Sequence, residues 1–311
     1  MRALVTGGAG FIGSHVAAAL VANDWDVAVV DDLSSGARRN VPEDAALHVL
    51  DIRDADGVTR VFEAFRPDVV CHHAAQASVA VSTREPLLDA QVNVLGSINL
   101  LSASAACKVS RFVFASTGGA IYGEVPEGQR APVSMRPAPA SPYACSKFAT
   151  EAYLESFRQQ HGLDYTILRY ANVYGPRQSP HGEAGVVAIF ASRLLRWEPV
   201  SVFARAKAGD AGCVRDYVYV DDVVEWNLRA VRGAVTVPIA NVCTGVGTTT
   251  LALAEQMKSV ASSRSEIRFG PPRVGDLERS VLEPERDARA PVSLEVGVRR
   301  TLDWFRSQSG G

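Results

Sequence analysis

Short apolar runs along the first 170 residues alternate with longer stretches in which apolar positions recur every three or four residues. The short runs predict strands at residues 3–5, 27–30, 47–50, 69–72, 112–115 and 165–168. The longer stretches predict helices near residues 12–22, 55–65, 86–106 and 143–161. This alternation is typical of a parallel sheet that carries helices on both faces.

Beyond residue 170, segments rich in Gly and Pro, such as Gly175-Pro176 and Pro271-Pro272, interrupt shorter strands and helices. We therefore predict a first domain over residues 1–170. A smaller α/β lobe is predicted over residues 171–311, with some of the chain crossing back to the first domain. Because open α/β sheets bind ligands at the carboxyl ends of their strands, we expect this lobe to bind a substrate at that edge.

The composition of the chain favours a small-molecule ligand. Its 311 residues are 47% hydrophobic, which is enough for a large core, and its net charge is −2. The charges form no basic stripe for nucleic acid and no membrane anchor, and no apolar run approaches the roughly 20 residues that cross a bilayer. The first residues lead directly into a predicted strand without the features of a signal peptide, so we expect a cytoplasmic protein.

No metal site is expected in this chain. The five cysteines lie far apart and show no Cys-x-x-Cys spacing. His181 stands close to Glu183, but one histidine and one carboxylate are too few ligands for zinc.

A glycine-rich segment, Gly7-Gly8-Ala9-Gly10-Phe11-Ile12-Gly13, lies between the first predicted strand and the first helix. In this context it is typical of a Rossmann dinucleotide-binding domain, because glycines let the backbone approach a pyrophosphate at a helix N-terminus. Asp31 and Asp32 end the second predicted strand, where a carboxylate can bind the ribose hydroxyls of NAD. Arg38 and Arg39 follow closely and leave NADP as an alternative.

Tyr143 and Lys147 stand one helical turn apart, after the helix-start signal Ser141-Pro142. In many chains such a pair is only a surface contact of a helix. Here it follows the fifth strand of a nucleotide-binding sheet, and Ser116-Thr117 end that strand. We expect the lysine and a cationic nicotinamide ring to lower the pKa of the phenol, so that Tyr143 can accept a hydroxyl proton.

With these motifs the chain resembles the extended short-chain dehydrogenase/reductase family and, within it, the UDP-glucose 4-epimerases. The resemblance covers essentially the whole chain. Further matching blocks, in the family's order, are Asp51-Ile52, Ala74-Ala75-Gln76-Ala77, Asn93, Arg169-Tyr170-Ala171-Asn172-Val173-Tyr174-Gly175-Pro176, Arg215-Asp216-Tyr217-Val218 and Gly275-Asp276-Leu277.

The resemblance implies the fold, the cofactor and a set of site residues. The fold is α/β, a Rossmann-type doubly wound parallel sheet with a smaller α/β substrate-binding C-terminal lobe, and the cofactor is NAD. Residues expected at the cofactor are Gly7, Gly10, Phe11, Ile12, Gly13, Asp31, Asp32, Leu33, Ser35, Gly36, Asp51, Ile52, Ala74, Ala75, Gln76, Asn93, Ser116, Tyr143, Lys147 and Tyr170. Residues expected at a UDP-sugar substrate are Thr117, Gly118, Gly119, Tyr143, Asn172, Val187, Arg215, Asp276 and Ser280.

Two of these positions refine the expected chemistry. Gly118 stands where the family has a catalytic Ser or Thr, so Thr117 is the candidate replacement beside Tyr143 and Lys147. Sugar-nucleotide 4,6-dehydratases of the family carry acidic residues where this chain has Gly118-Gly119, which favours simple oxidation and re-reduction. The small Ser280 leaves room for a 2-acetamido group.

The resemblance therefore implies NAD-dependent 4-epimerisation of UDP-glucose and UDP-galactose, with UDP-GlcNAc and UDP-GalNAc as further substrates. The alternatives are another epimerase or dehydrogenase of nucleotide sugars, such as one acting on UDP-glucuronate, and a non-catalytic NAD sensor. The resemblance also implies that Asn172 and Arg215 bind the diphosphate of the substrate. A local salt bridge between Arg215 and Asp216 is the alternative. Apolar stripes on helices 86–106 and 143–161, together with the resemblance, predict a homodimer through a four-helix contact. The residues of these stripes are Val92, Leu95, Leu100, Leu101, Ala149, Tyr153 and Phe157.

Overall fold

A computed structural model describes residues 1–181, 185–207, 209–273 and 275–308. The chain forms two compact units. The first unit comprises Met1–Thr117, Pro139–Arg169 and Val223–Ala240, and the second comprises Gly118–Ala138, Tyr170–Asp222 and the chain from Asn241 onward. The chain thus enters each unit more than once, and one passage falls between Arg169 and Tyr170.

The strands and helices have the following bounds. The strands are β1 (Arg2–Thr6), β2 (Asp26–Asp31), β3 (Ala46–Val49), β4 (Val69–His72), β5 (Arg111–Thr117), β6 (Asp164–Tyr170), β7 (Asn172–Tyr174), β8 (Val200–Phe203), β9 (Val214–Tyr219), β10 (Ile239–Val242), β11 (Gly247–Thr249), β12 (Ile267–Gly270) and β13 (Arg279–Ser280). The helices are α1 (Phe11–Val21), α2 (Ala55–Phe65), α3 (Val79–Arg84), α4 (Pro86–Ala90), α5 (Gly96–Ala106), α6 (Gly118–Ile121), α7 (Pro142–His161), α8 (Val186–Leu195), α9 (Val220–Val231), α10 (Thr250–Ala261) and α11 (Leu294–Gln308).

The central sheet has seven strands in the order β10-β6-β5-β4-β1-β2-β3. β1 pairs in parallel with β2 on one side and with β4 on the other, so that Leu4 lies between Ala28 and Val70. The strand order reverses between β1 and β4, which is where sheets of this kind bind dinucleotides. The predicted Rossmann-type α/β fold is confirmed, and each of the six predicted strands is present within two residues of its expected ends.

The core of the first unit lies between this sheet and helices α2, α5 and α7. Buried apolar side chains from the strands pack against Phe62, Leu100 and Leu154 of these helices. Complete burial of each such side chain contributes roughly 1.5 to 3 kcal/mol. This packing fixes the orientation of α7, the helix that carries Tyr143 and Lys147.

The predicted helix at 86–106 is divided. It consists of α4, a π-helical turn at Gln91–Leu95, and α5. π-helical turns inside longer helices often occur at functional sites. Two short helices, α3 and α6, had no counterpart among the predictions, and α3 begins at Ser78, whose hydroxyl accepts a hydrogen bond from the Val81 N–H at 2.9 Å.

The second unit is built from smaller sheets. β9 pairs antiparallel with β11 and parallel with β13, and its later residues pair parallel with β7. β8 and β12 form a separate two-stranded parallel sheet. Over the part of the chain that the structure describes, no helix is both long enough and apolar enough to cross a membrane.

Candidate active site

The glycine segment forms a tight cradle at the start of α1. Gly7 has a φ of +68°, and a Cβ atom on it would lie 2.6 Å from the Ala74 nitrogen. A Cβ on Gly13 would collide with the Gly7 carbonyl. Gly10 caps α1 without any side-chain hydrogen bond to the first turn, so its backbone N–H groups can face an anion. The cradle therefore fits a pyrophosphate.

Asp31 joins the end of β2 to this cradle. Its carboxylate accepts hydrogen bonds from the Ala9 N–H and the Leu33 N–H, both at 2.9 Å. The neighbouring Asp32 is exposed and accepts from the N–H and hydroxyl of Ser34. Two carboxylates at this strand end suit the ribose hydroxyls of NAD and repel the 2′-phosphate of NADP.

Asp51 and Ile52, two of the residues expected at the cofactor, follow β3. The Asp51 carboxylate forms a salt bridge with Arg53, and this hydrogen bond lowers the pKa of Asp51. Ile52 is buried against Gly96 at the start of α5. A charged pair and a buried aliphatic side chain thus lie next to each other after β3.

Asn93, in the π-helical turn, holds the loop after β4. Its side-chain oxygen accepts from the Gln76 N–H and its nitrogen donates to the Gln76 carbonyl, both at 2.9 Å. The same nitrogen lies 3.0 Å from Asp89 Oδ1 and 3.2 Å from Ser146 Oγ. One buried amide therefore connects the loop of Ala74, Ala75 and Gln76 with helices α4 and α7.

Tyr143 and Lys147 lie on one face of α7 as predicted. The helix begins at Ser141, whose hydroxyl accepts from the Ala144 N–H. The Lys147 ammonium is 4% exposed, donates to the Ala115 carbonyl at 3.0 Å, and lies 6.0 Å from the centre of the Tyr143 ring. Thr117 forms a side-chain hydrogen bond with Tyr143. The structure thus brings the three proposed catalytic residues together within the first unit.

Without the cofactor, the protein groups around Tyr143 raise the pKa of its phenol. Burial and, to a smaller extent, the charge of Asp89 raise the pKa of Tyr143 to about 12, and the hydrogen bond with Thr117 acts in the opposite direction. The Lys147 ammonium donates its hydrogen bond to the Ala115 carbonyl. Burial also lowers the pKa of Lys147 to about 8, while the charges of Asp89 and Glu151 act in the opposite direction.

The Ser116 hydroxyl has a different partner from that of Thr117. Its hydroxyl donates to Glu151 Oε1 at 2.6 Å, and Glu151 is also bound by the guanidinium of Arg169 at 2.6 Å. All three side chains are buried. The Ser116 hydroxyl is therefore part of a buried ion-pair network with Glu151 and Arg169.

The second unit places several predicted substrate residues on neighbouring strands. Arg215 of β9 lies opposite Ser280 of β13 in parallel register, and Ser280 is 2% exposed. Asn172 begins β7, which pairs with the later part of β9. A Cβ on Gly119 would lie 3.0 Å from the side-chain oxygen of Asn172, so the missing side chain keeps space beside this amide.

The Arg215-Asp216 salt bridge is not formed within the described ranges. Arg215 donates to the Val214 carbonyl, whereas Asp216 is buried and accepts from Thr244 and Gly245. Adjacent residues of a strand point to opposite faces, which separates the two charges. The guanidinium of Arg215 can therefore bind an anion other than Asp216.

The remaining predicted residues have these positions. Val187 is buried in α8, Asp276 is exposed in the loop before β13, Gly118 begins α6, and Tyr170 ends β6 in the second unit. The cysteines of the chain are free, and the part of the chain with described coordinates contains no group of three or more His, Cys, Asp or Glu side chains suited to a metal. Glu183, named beside His181, lies outside the described residues.

Sequence reasoning missed two buried carboxylates, Asp89 and Glu151, and considered Asp216 only as a salt-bridge partner of Arg215. Glu151 stands one turn beyond Lys147, so the spacing Tyr-x-x-x-Lys-x-x-x-Glu was a usable signal. Asp89 stands one turn before Asn93, also on one helix face. Burial of these acids, which decides their effect on the site, is not visible in the spacing.

A doubly wound sheet with a glycine cradle, two carboxylates at the end of β2, and a Tyr and Lys one turn apart defines a class of NAD-binding enzymes that act on hydroxyl groups. The chain belongs to the NAD dependent epimerase/dehydratase family, whose profile matches residues 3–243. A UDP-glucose 4-epimerase of Mycolicibacterium smegmatis is 42% identical, with 99% of this chain and all of that protein covered.

Two solved structures have the same fold over almost the entire chain. A Thermus thermophilus UDP-glucose 4-epimerase in complex with NAD is 52% identical with a TM-score of 0.93, covering 98% of this chain and 99% of that one. A Thermotoga maritima UDP-glucose 4-epimerase with UDP-glucose is 47% identical with a TM-score of 0.94, covering 99% and 100%.

Proposed function

We propose that this protein is an NAD-dependent UDP-hexose 4-epimerase that interconverts UDP-glucose and UDP-galactose. The observation that carries the proposal is that Tyr143 and Lys147 lie one turn apart on α7, in the same unit as the glycine cradle and Thr117 at the end of β5. The names of the similar proteins agree with this activity. The small buried Ser280 supports UDP-GlcNAc and UDP-GalNAc as further substrates.

The chain's residues supply the proton transfers. Bound NAD⁺ supplies a reversible two-electron oxidant and a positive charge. Tyr143 accepts the O4 proton as C4 is oxidised to the ketone, and returns it when C4 is reduced from the opposite face. Lys147 favours the phenolate electrostatically, and Thr117 donates a hydrogen bond to the phenolate oxygen. Net redox change over the cycle is zero.

The cofactor is held mainly by residues of the first unit. The N–H groups of the cradle at Gly10 to Gly13 receive the pyrophosphate, and Asp31 and Asp32 the adenosine ribose. Asn93 fixes Gln76 and the loop before it against the nicotinamide half. The Arg38 and Arg39 side chains are partly or fully exposed in a 3₁₀ turn, and we propose that they do not change the preference for NAD.

In the second unit, we propose that Arg215 and Asn172 bind the diphosphate of the substrate. An arginine fork and an amide donor suit phosphate oxygens without a metal. Because Arg215 and Asn172 bind the nucleotide and not the sugar, the 4-keto sugar can rotate before it is reduced. Asp276, Val187 and the Gly118-Gly119 backbone complete the proposed sugar-nucleotide contacts.

A product assay tests this proposal. Purified protein incubated with UDP-galactose is expected to give the UDP-glucose equilibrium mixture without stoichiometric NADH, and UDP-GalNAc to give UDP-GlcNAc. UDP-glucuronate serves as the matched third substrate. Accumulation of one NADH per turnover would indicate a dehydrogenase, conversion of UDP-glucuronate alone another epimerase, and no turnover with intact NAD binding a sensor.

We further propose a homodimer through α4, α5, α7 and the π-helical turn. Leu100 and Leu101, named above for this contact, are wholly buried in the subunit's own core and do not belong to it. The exposed apolar side chains Leu95 and Tyr153, joined by Leu87 and Phe148, form what we call the helix patch. Large exposed patches of this kind are typical of subunit contacts.

The size of the protein in solution tests the helix patch. Leu95→Asp is expected to give a monomer by analytical ultracentrifugation, whereas Val296→Asp, at another exposed apolar position, on α11, leaves the dimer intact. A monomeric parent protein would contradict the proposal. The expected cytoplasmic location stays a prediction, which subcellular fractionation tests.

A further inference from the structure

Asp89 is a buried carboxylate beside the catalytic pair that the mechanism above does not use. It lies in α4, which packs against α3 and α7, and it is 1% exposed. Its Oδ1 accepts from Gln76 Nε2 at 2.9 Å and from Asn93 Nδ2 at 3.0 Å. Among the described residues Asp89 forms no salt bridge, and the two donors to its Oδ1 are neutral amides.

Such an arrangement needs a compensating gain, because a carboxylate buried without an ion pair is strongly disfavoured. We attribute this gain to the residues that Asp89 binds and to the catalytic residues on which its charge acts. Gln76 and Asn93 carry the loop and helix turn expected at the cofactor. Tyr143 and Lys147 lie within reach of its charge.

We propose that Asp89 is a positioning residue of the active site. Its carboxylate holds Gln76 and Asn93 and supplies a fixed negative charge that acts on Tyr143 and Lys147 when they gain or lose a proton. The inference rests on the proposed role of Tyr143. A negative charge favours the protonated form of every neighbouring group, and it therefore keeps the phenol neutral and the ammonium charged until the cofactor's positive charge is present.

The other charged groups around the pair are few. Glu151 of α7 also acts on Lys147, but Arg169 of β6 neutralises it. α3 contributes Arg84, which is exposed and bonded to Glu85. Burial and the charge of Lys147 lower the pKa values of His72 and His73 at the end of β4, so both are neutral at pH 7. Asp89 is therefore the unneutralised negative charge that acts on both Tyr143 and Lys147.

The test is Asp89→Asn, which keeps the shape and the amide acceptor and removes the charge. Both limbs of the pH dependence of kcat are expected to move to lower pH, by about one unit, because removal of the carboxylate lowers the pKa of both groups. A role limited to packing would lower the plateau without moving either limb. Glu85→Gln removes an exposed charge from the same segment and is expected to leave the profile in place.

A second measurement needs no turnover. The absorbance change of tyrosine ionisation, taken as the difference between each NAD-loaded protein and its Tyr143→Phe counterpart, reports the phenol directly. In Asp89→Asn it is expected at lower pH than in the parent, and an unchanged midpoint would overturn the inference. If Asp89→Asn does not fold, Asp89→Ser carries the same test. Full activity of Tyr143→Phe would instead refute the proposed function, while the ionisation midpoint would still report on Asp89.

Discussion

The first unit fixes its functional side chains by regular structure, whereas the second fixes them by hydrogen bonds to loops. Tyr143 and Lys147 owe their alignment to the 3.6-residue period of α7 and to the packing of that helix on a buried sheet. Arg215 and Ser280 lie on strands of six and two residues. The adjacent Asp216 connects this sheet to neighbouring loop residues through bonds from three backbone N–H groups.

This difference has a consequence for mutation. A substitution in the first unit can remove chemistry and leave the fold intact, because many core contacts share the structural role. A substitution at Asp216 removes several contacts at once, since one carboxylate serves Thr244, Gly245 and Leu282. Function and stability should therefore separate in the first unit and coincide in the second.

The largest effect is expected from Tyr143→Phe. Loss of the phenolic oxygen removes the proton acceptor, and kcat should fall by about 10³-fold or more, within the range of general acid–base catalysis. The melting temperature and NAD content should stay close to those of the parent. Tyr153→Phe on the same helix is the matched control. If activity were lost together with bound NAD or with the fold, function and stability would not be separate in the first unit.

Asp216→Ala should have the next largest effect, on stability and substrate binding together. It leaves buried N–H groups without an acceptor, which costs about 3 kcal/mol or more. We expect faster amide exchange at Thr244, Gly245 and Leu282 and a raised KM for UDP-galactose. Asp221→Ala removes an exposed carboxylate paired with Arg300 and should change stability by less than about 0.5 kcal/mol. Unchanged exchange in Asp216→Ala would show that other contacts hold the unit.

The sequence pattern predicted the first unit far better than the second, for physical reasons. Buried parallel strands are continuous apolar runs, and the helices between them have strong periodicity, so their bounds could be predicted within two residues. β7, β11 and β13 have two or three residues each and pair with β9 across long stretches of chain. No local pattern specifies such pairings. Asn172 and Arg215 were therefore identified by their resemblance to family motifs.

The electrostatics of the catalytic pair were also beyond the sequence. Spacing predicted that Tyr143 and Lys147 share a helix face, which is correct. It did not predict that burial would raise the pKa of one and lower that of the other, because burial depends on every element packed around them. The spacing of Asp89 likewise gives no measure of the charge it contributes.

Lys147 allows a test of burial by pH. Because burial lowers its folded pKa from 10.5 to about 8, the folded chain holds this proton less tightly than the unfolded chain. Below pH 8 the ammonium destabilises the fold, and this penalty disappears as pH rises from 8 to 10.5. The unfolding free energy of the parent, relative to Lys147→Met, should thus increase across that window by up to about 3 kcal/mol. Lys108→Met, at an exposed site, should give a flat difference, and a flat difference for Lys147→Met would mean that its ammonium is well solvated.

The smallest effect distinguishes two neighbours at the end of β5. Thr117→Val removes the hydrogen bond to Tyr143, so kcat should fall about 10-fold and the acid limb of its pH profile should move to higher pH, because that bond lowers the pKa of Tyr143. Thr117→Ser should restore both. Ser116→Ala should instead lower stability by about 1 to 2 kcal/mol and leave the limb in place, since its hydroxyl serves Glu151. If Ser116→Ala moved the limb and Thr117→Val did not, Thr117 would not be the residue that replaces the family hydroxyl missing at Gly118.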